Sequence, residues 1–157
     1  MSDTHSYFGK DIKDKLSEFD ELWHAGDWGT IDVLEPIFNG IIIRGVYGNI
    51  DNHEIRGKFP KEIFFEIEGI SVYITHIGGY PGRYQKRIKN RLMDLKPNLF
   101  ICGHSHICKI MKDHDLDMFH FNPGAIGFHG FHRKRTMVSF TVNNREITDV
   151  IIHEYDK

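Results

Sequence analysis

The chain has no apolar run near the roughly 18 residues a membrane-spanning helix needs, so nothing in it calls for a bilayer. It has only two cysteines, Cys102 and Cys108, too few for a disulfide framework. A reduced, cytoplasmic setting is therefore the expectation. It has no surplus of positive charge: 20 Lys and Arg against 22 Asp and Glu leave a net charge of −2. That offers no footprint for nucleic acid. No linker, repeat or low-complexity stretch interrupts the sequence, and its first residues are polar, unlike a secretory signal. What is left is 157 residues, 40% apolar and 27% charged, which suits one globular domain over 1–157. Histidine is plentiful, at 11 residues. Neutral imidazole is the commonest protein ligand for a transition metal, so the surplus favours a metal site.

The spacing of apolar residues predicts an α/β alternation. Residues 11–19 place Ile12, Leu16 and Phe19 at helical spacing. Residues 21–25 read as a short strand ending at Gly26-Asp27. Thr30 to Phe38 reads as a helix weakened by Pro36. The β-branched run 40–46 has the pattern of a strand buried on both faces, followed by Gly48-Asn49-Ile50-Asp51. Residues 62–68 and 71–75 flank Gly69-Ile70 as a hairpin, and the second strand runs into His76. Residues 84–95 form an amphipathic helix with a basic, solvated outer face. Strands follow at 99–102, 107–111, 118–121, 136–142 and 146–153, with a turn at Asn143-Asn144.

Polar residues with ligating atoms stand at the ends of these apolar runs, where open α/β folds place their ligands. They are Asp3 and His5, Asp27, Asn49, His76, and the pair His104 and His106 in Gly103-His104-Ser105-His106. Each is commonplace alone: an Asp-x-His makes a polar turn, and a His-x-His often sits idle in a loop. Their shared position after apolar runs is less easily accidental. Seven N and O donors exceed the four that one tetrahedral ion takes, and suit two metals sharing a carboxylate. The absence of thiolate from the set argues against a structural zinc site.

The ordered set D-x-H, G-D, G-N, H and G-H-x-H resembles the calcineurin-like metallophosphoesterase superfamily. The short length, the G-N-x-D form and Asn122-Pro123-Gly124 resemble its small bacterial and archaeal phosphodiesterase branch. The resemblance implies a two-sheet β-sandwich flanked by helices (αββα). It implies one metal held by Asp3, His5, Asp27 and His106, and another by Asp27, Asn49, His76 and His104. Asp27 would bridge, and Asp27 and Asn49 would carry the catalytic centre. The ions would be two divalent metals, Mn²⁺ first, with Ni²⁺, Mg²⁺, Fe²⁺ or Zn²⁺ as alternatives. A hydroxide on the metals would attack a small phosphate-ester substrate in line.

The sequence departs from the family twice. Many members have a His after the Asn, proposed to protonate the leaving group; Ile50 stands there instead. His53 and His24 are the nearby substitutes, His53 as a loop residue and His24 as a supporting one. The family also has an apolar strand before its S-D-T-H, where only Met1 stands here. The first strand is therefore expected to be absent, with Asp3 and His5 on a frayed terminus, an apolar slot in the core, and an open edge able to make a homo-oligomer. The alternatives to an active enzyme are a truncated, inactive form, or a protein-interaction scaffold like the retromer subunit of this fold. The loop Gly79-Tyr80-Pro81-Gly82-Arg83 either shapes the substrate pocket or is a plain turn.

Overall fold

The computed structural model describes residues 1–33 and 40–157, excepting the side chain of Val33. Two layers of strands lie between helices. The first layer contains the parallel pair β1 (Glu21–His24) and β2 (Ile42–Gly45), and the long antiparallel hairpin β8 (Lys134–Asn143) and β9 (Glu146–Asp156). The second is a five-stranded mixed sheet in the order β3-β4-β5-β7-β6. Its strands are β3 (Glu62–Ile67), β4 (Ile70–Thr75), β5 (Leu99–Ile101), β6 (Cys108–Asp113) and β7 (Met118–Pro123). β4, β5 and β7 run parallel, so Thr75 and Ile101 end at the same side of the sheet.

Three apolar clusters hold the layers. Between the sheets, Ala25 and Val46 meet Val72, Ile74, Leu99, Ile101 and Phe121. Outside the first layer, α1 (Lys10–Leu16) buries Ile12 and Leu16, one helical turn apart, against Leu22 and Trp28. The short α2 (His53–Lys58) adds Ile55 to that cluster, and its N-cap Asn52 accepts from the N–H groups of Glu54 and Ile55. Outside the second layer, α3 (Lys86–Leu95) buries Ile88 and Leu92 against Tyr73, Phe100 and Met118. This is the expected helix–sheet–sheet–helix sandwich.

Two expectations need correction. The run 40–46 is not buried on both faces: Ile42 is 58% exposed, because β2 pairs only with β1 among the described residues. The terminus is not frayed either. Met1, Ser2, Asp3 and Thr4 are all buried. The Met1 amine donates to the Trp23 carbonyl at 2.8 Å, and the Ala25 N–H to that of Met1 at 3.0 Å. On the other side, the N–H groups of Ile126 and Gly127 donate to the carbonyls of Ser2 and Asp3. The chain start is thus clamped between two segments. A cavity of about 550 Å³ borders Met1, lined by apolar Leu22, Ile101, Phe121 and Val138 and by acidic Glu18, Asp20 and Glu21. Of the helix expected over 30–38, Thr30 is not helical, Ile31–Val33 forms a 3₁₀ turn and 34–38 lie outside the described residues. No helix among the described residues is long and apolar enough to cross a membrane.

Candidate metal centre

Four strand ends and the buried chain start converge on one rim. β1 leads into Asp27, β2 into Asn49, β4 into His76, and β5 into His104 and His106. Asp3, His5, Asp27, His104 and His106 all have positive φ, between +46° and +69°. Asp, Asn and His tolerate this region better than most residues, but each such residue still costs about 1–3 kcal/mol. The concentration of that strain at the donor residues turns their side chains off the strand ends into a common space.

The donors fall into two groups: Asp3 with His5 and His106, and Asp27 with His76 and His104, the ligating atoms of each group lying within 4.8 Å of one another. In the first, His106 Nε2 lies 3.1 Å from Asp3 Oδ1 and 3.4 Å from His5 Nε2. In the second, His76 Nε2 lies 3.3 Å from Asp27 Oδ2 and 3.0 Å from Asn49 Oδ1. Asp27 Oδ2 also lies 3.9 Å from His5 Nε2, which puts it between the groups. All seven residues expected at the site are therefore brought together. His104 and Asn49 are exposed, so the site opens to solvent.

The carboxylates are held so that one oxygen of each faces the imidazoles. Asp3 Oδ2 accepts from Ser2 Oγ (2.5 Å) and the His104 N–H (3.1 Å). Its Oδ1 is buried without a hydrogen-bond partner. Asp27 Oδ1 accepts from the Ile50 N–H at 3.1 Å, leaving Oδ2 toward His76. Burial opposes the charge on both members of that pair, but their mutual bond, the charges around them and the backbone bonds from Ala25 and Ile50 together outweigh it. The His76 imidazole is raised above its ordinary range and the Asp27 carboxyl lowered below its own. Burial holds His5 and His104 below the usual imidazole value.

Residues to which the sequence assigned no supporting bond complete the rim. Asp51 is buried and accepts from the N–H groups of Asp27 (3.1 Å), Gly48 (2.7 Å) and Gly29 (3.0 Å). It ties the loop after β1 to the loop after β2. Gly48 is required there, since a Cβ would collide with Asp27 Oδ1. Asn122 donates to the Gly103 carbonyl (3.0 Å) and to Ser105 Oγ (3.1 Å), bracing the loop that carries both histidines. Tyr80 bonds the same Ser105 hydroxyl, so the Gly79–Arg83 loop does reach the site.

The two substitutes for Ile50 are placed differently. His24 is fully buried and stacked 3.6 Å from Trp28. Its Nδ1 accepts from the Gly26 N–H and its Nε2 meets Thr4 Oγ1. Both nitrogens are thus engaged in the core. His53 begins α2, is exposed, and belongs to neither donor group.

This geometry agrees with the comparisons. A calcineurin-like phosphoesterase superfamily domain matches residues 1–145. A probable metallophosphoesterase of Methanothermobacter thermautotrophicus is 28% identical over 130 residues, spanning 80% of this chain and 74% of that protein. Among solved structures, an archaeal phosphodiesterase superposes with a TM-score of 0.75 at 20% identity, over 98% of this chain and 97% of that one. The Zn²⁺ complex of Vps29 from Entamoeba histolytica gives 0.70 at 15% identity, over 99% and 96%. With a family match over most of its length and a donor set at the ends of its strands, the chain belongs to the calcineurin-like phosphoesterase superfamily.

Proposed function

We propose that this chain is a metal-dependent phosphodiesterase or phosphatase with two divalent cations, Mn²⁺ by preference, acting on a small phosphate ester. One observation carries the reading: Asp27 Oδ2 stands between two donor groups that share no other carboxylate among the described residues. The donors fit such ions. The oxygen donors suit Mn²⁺ or Mg²⁺ and the imidazoles suit Fe²⁺, Ni²⁺ or Zn²⁺, so the mixed set fits divalent ions of this range. Asp3 Oδ1 is a buried carboxylate oxygen with no hydrogen-bond donor, an arrangement costing about 1–3 kcal/mol unless a cation satisfies it. Asp3, His5, Asp27 and His106 would hold one ion, and Asp27, Asn49, His76 and His104 the other. When bound, such a pair supplies an activated water and neutralises the charge that develops during in-line displacement at phosphorus.

The protein's part is to keep the donors aimed. His76 Nδ1 lies 2.7 Å from the Ala25 carbonyl, which only accepts, so Nδ1 carries a hydrogen. Its Nε2 then faces two acceptors, Asp27 Oδ2 and Asn49 Oδ1, and holds a second proton that a cation would replace. Ser2, the His104 N–H and the Ile50 N–H fix the remaining carboxylate oxygens. Ile50 offers no proton to a leaving group, so the substrates best served have leaving groups stable as anions. The scaffold reading has no comparable support, since all seven positions hold competent ligands. Hydrolysis of bis-p-nitrophenyl phosphate by the purified chain tests the proposal. Mn²⁺ should stimulate it and EDTA should abolish it; no turnover with two metals bound would refute the enzymatic reading.

A further inference from the structure

The segment Gly127–His132, with the sequence GFHGFH, lies over the first donor group. It is tied down at both ends. The Gly127 N–H donates to the Asp3 carbonyl at 3.0 Å, and Lys157 Nζ to that of Gly130 at 2.5 Å. Phe128 packs edge-on to Tyr7 and under the Arg135 guanidinium, with centroid distances of 4.6 and 4.3 Å. The His132 ring stands edge-on to His106, centroids 5.3 Å apart.

The two rings have defined polarity. His132 Nε2 lies 3.0 Å from the Gly127 carbonyl. A carbonyl only accepts, so Nε2 carries the hydrogen and Nδ1 carries a lone pair. That Nδ1 is buried and has no hydrogen-bond partner. His106 turns Nε2 toward Asp3 Oδ1 and His5, so its own Nδ1 points away from the donor group, into the loop. Gly130 stands between the rings, with φ +117°. A Cβ there would collide with His106 Nδ1 and lie 3.2 Å from His132 Nδ1. The two Nδ1 atoms therefore border one small space that only glycine leaves open.

We propose that His132 is a positioning residue for His106: its Nδ1 accepts the Nδ1–H of His106, directly or through one water, and so keeps the His106 Nε2 lone pair turned toward the first cation site. This rests on the metal-centre reading given above. Imidazoles that bind metals almost always donate their other N–H to a partner, and loss of that partner typically weakens metal affinity 10–100-fold. For His76 the partner is the Ala25 carbonyl. Among the described residues, His132 Nδ1 is a buried acceptor in the right place to serve His106.

The test is Mn²⁺ binding to the full chain at pH 7 by calorimetry, for wild type, His132→Phe and His132→Asn. Phenylalanine keeps a buried ring and removes the acceptor; asparagine supplies an oxygen near the Nδ1 position. His132→Phe should weaken one of two sites by about 10–100-fold and leave the other unchanged, and His132→Asn should recover most of the loss. A loss below tenfold, or an equal loss at both sites, overturns the inference. Long-range ¹⁵N imidazole spectra of the wild-type Zn²⁺ form need no variant. They should show His132 protonated at Nε2 and His106 at Nδ1; a His132 ring protonated at Nδ1 overturns it. A wild type that binds no Mn²⁺ refutes the metal-centre reading itself, whereas normal wild-type binding with an unaltered Phe variant refutes only the role of His132.

Discussion

Asp3 Oδ1 and His106 Nε2 stand 3.1 Å apart, and the carboxylate oxygen is buried without a hydrogen-bond partner. The two residues are 103 positions apart in the sequence. Asp3 is fixed by bonds to the loop after β1, and His106 by the loop after β5. Their meeting makes the first donor group depend on the clamped chain start.

Asp27→Asn should abolish hydrolysis. The substitution removes the one charge shared by both donor groups and keeps the side chain's size. Assays of bis-p-nitrophenyl phosphate hydrolysis alongside metal content check this; near wild-type turnover with two metals bound would contradict the shared role.

Ile50→His should favour alkyl leaving groups over p-nitrophenolate. The Ile50 side chain is 47% exposed at the rim, while its N–H holds Asp27 Oδ1. A histidine there keeps the backbone bond and adds a proton donor. General acid catalysis contributes about 10²–10⁴-fold where a proton is needed. Rates for methyl and p-nitrophenyl esters compared in both proteins decide it, and equal effects on both would remove residue 50 from the explanation.

The metal-free protein should lose stability on acidification in a defined window. His120 is fully buried, flanked by Tyr80, Tyr84 and Phe100, with neither ring nitrogen bonded. Burial pushes its imidazole down to about 4. A folded value below the unfolded 6.5 means the contribution is present in full above pH 6.5 and is lost as the pH falls toward about 4. The total is on the order of 2–3 kcal/mol. His120→Phe should flatten the fall in melting temperature between pH 7 and 4. An unchanged slope would assign the acid sensitivity elsewhere, His24 being the next buried imidazole held low.

An apolar six-residue extension ahead of Met1 should raise the melting temperature by several degrees. It would lie along the cavity of about 550 Å³ that borders Met1 and Trp23. It would also replace the Met1 amine, pushed down to about 5 by burial, with an uncharged amide. Each kcal/mol is worth about 2–4 °C in a domain of this size. A polar extension of equal length is the control; equal melting temperatures for both would show that the cavity does not take the added strand.

Five of the seven donors, Asp27, Asn49, His76, His104 and His106, were legible because they follow apolar runs, which the residue order alone displays. His76 after SVYIT and His104 after LFIC are of that kind. Asp51 was less visible: its work is to accept three backbone N–H groups, and nothing in the sequence marks which carboxylate does so. The short α2 has one buried side chain, Ile55, and so leaves no periodicity to read. The frayed terminus was a misjudgement of tertiary context, since bonds to Trp23, Ala25 and Ile126 anchor residues that look loose in isolation. His132 escaped because its partner is another histidine, brought near by a glycine whose φ the sequence does not state.

The central claim is that two cations share Asp27, one dependent on His106 and the other on His104. Anomalous scattering at the manganese edge from Mn²⁺-loaded crystals of wild type, His104→Ala and His106→Ala measures it directly. Wild type should show two peaks about 3.5–4 Å apart, both beside Asp27. Each variant should lose one peak, and not the same one. A single wild-type peak, or loss of the same peak in both variants, would contradict the account.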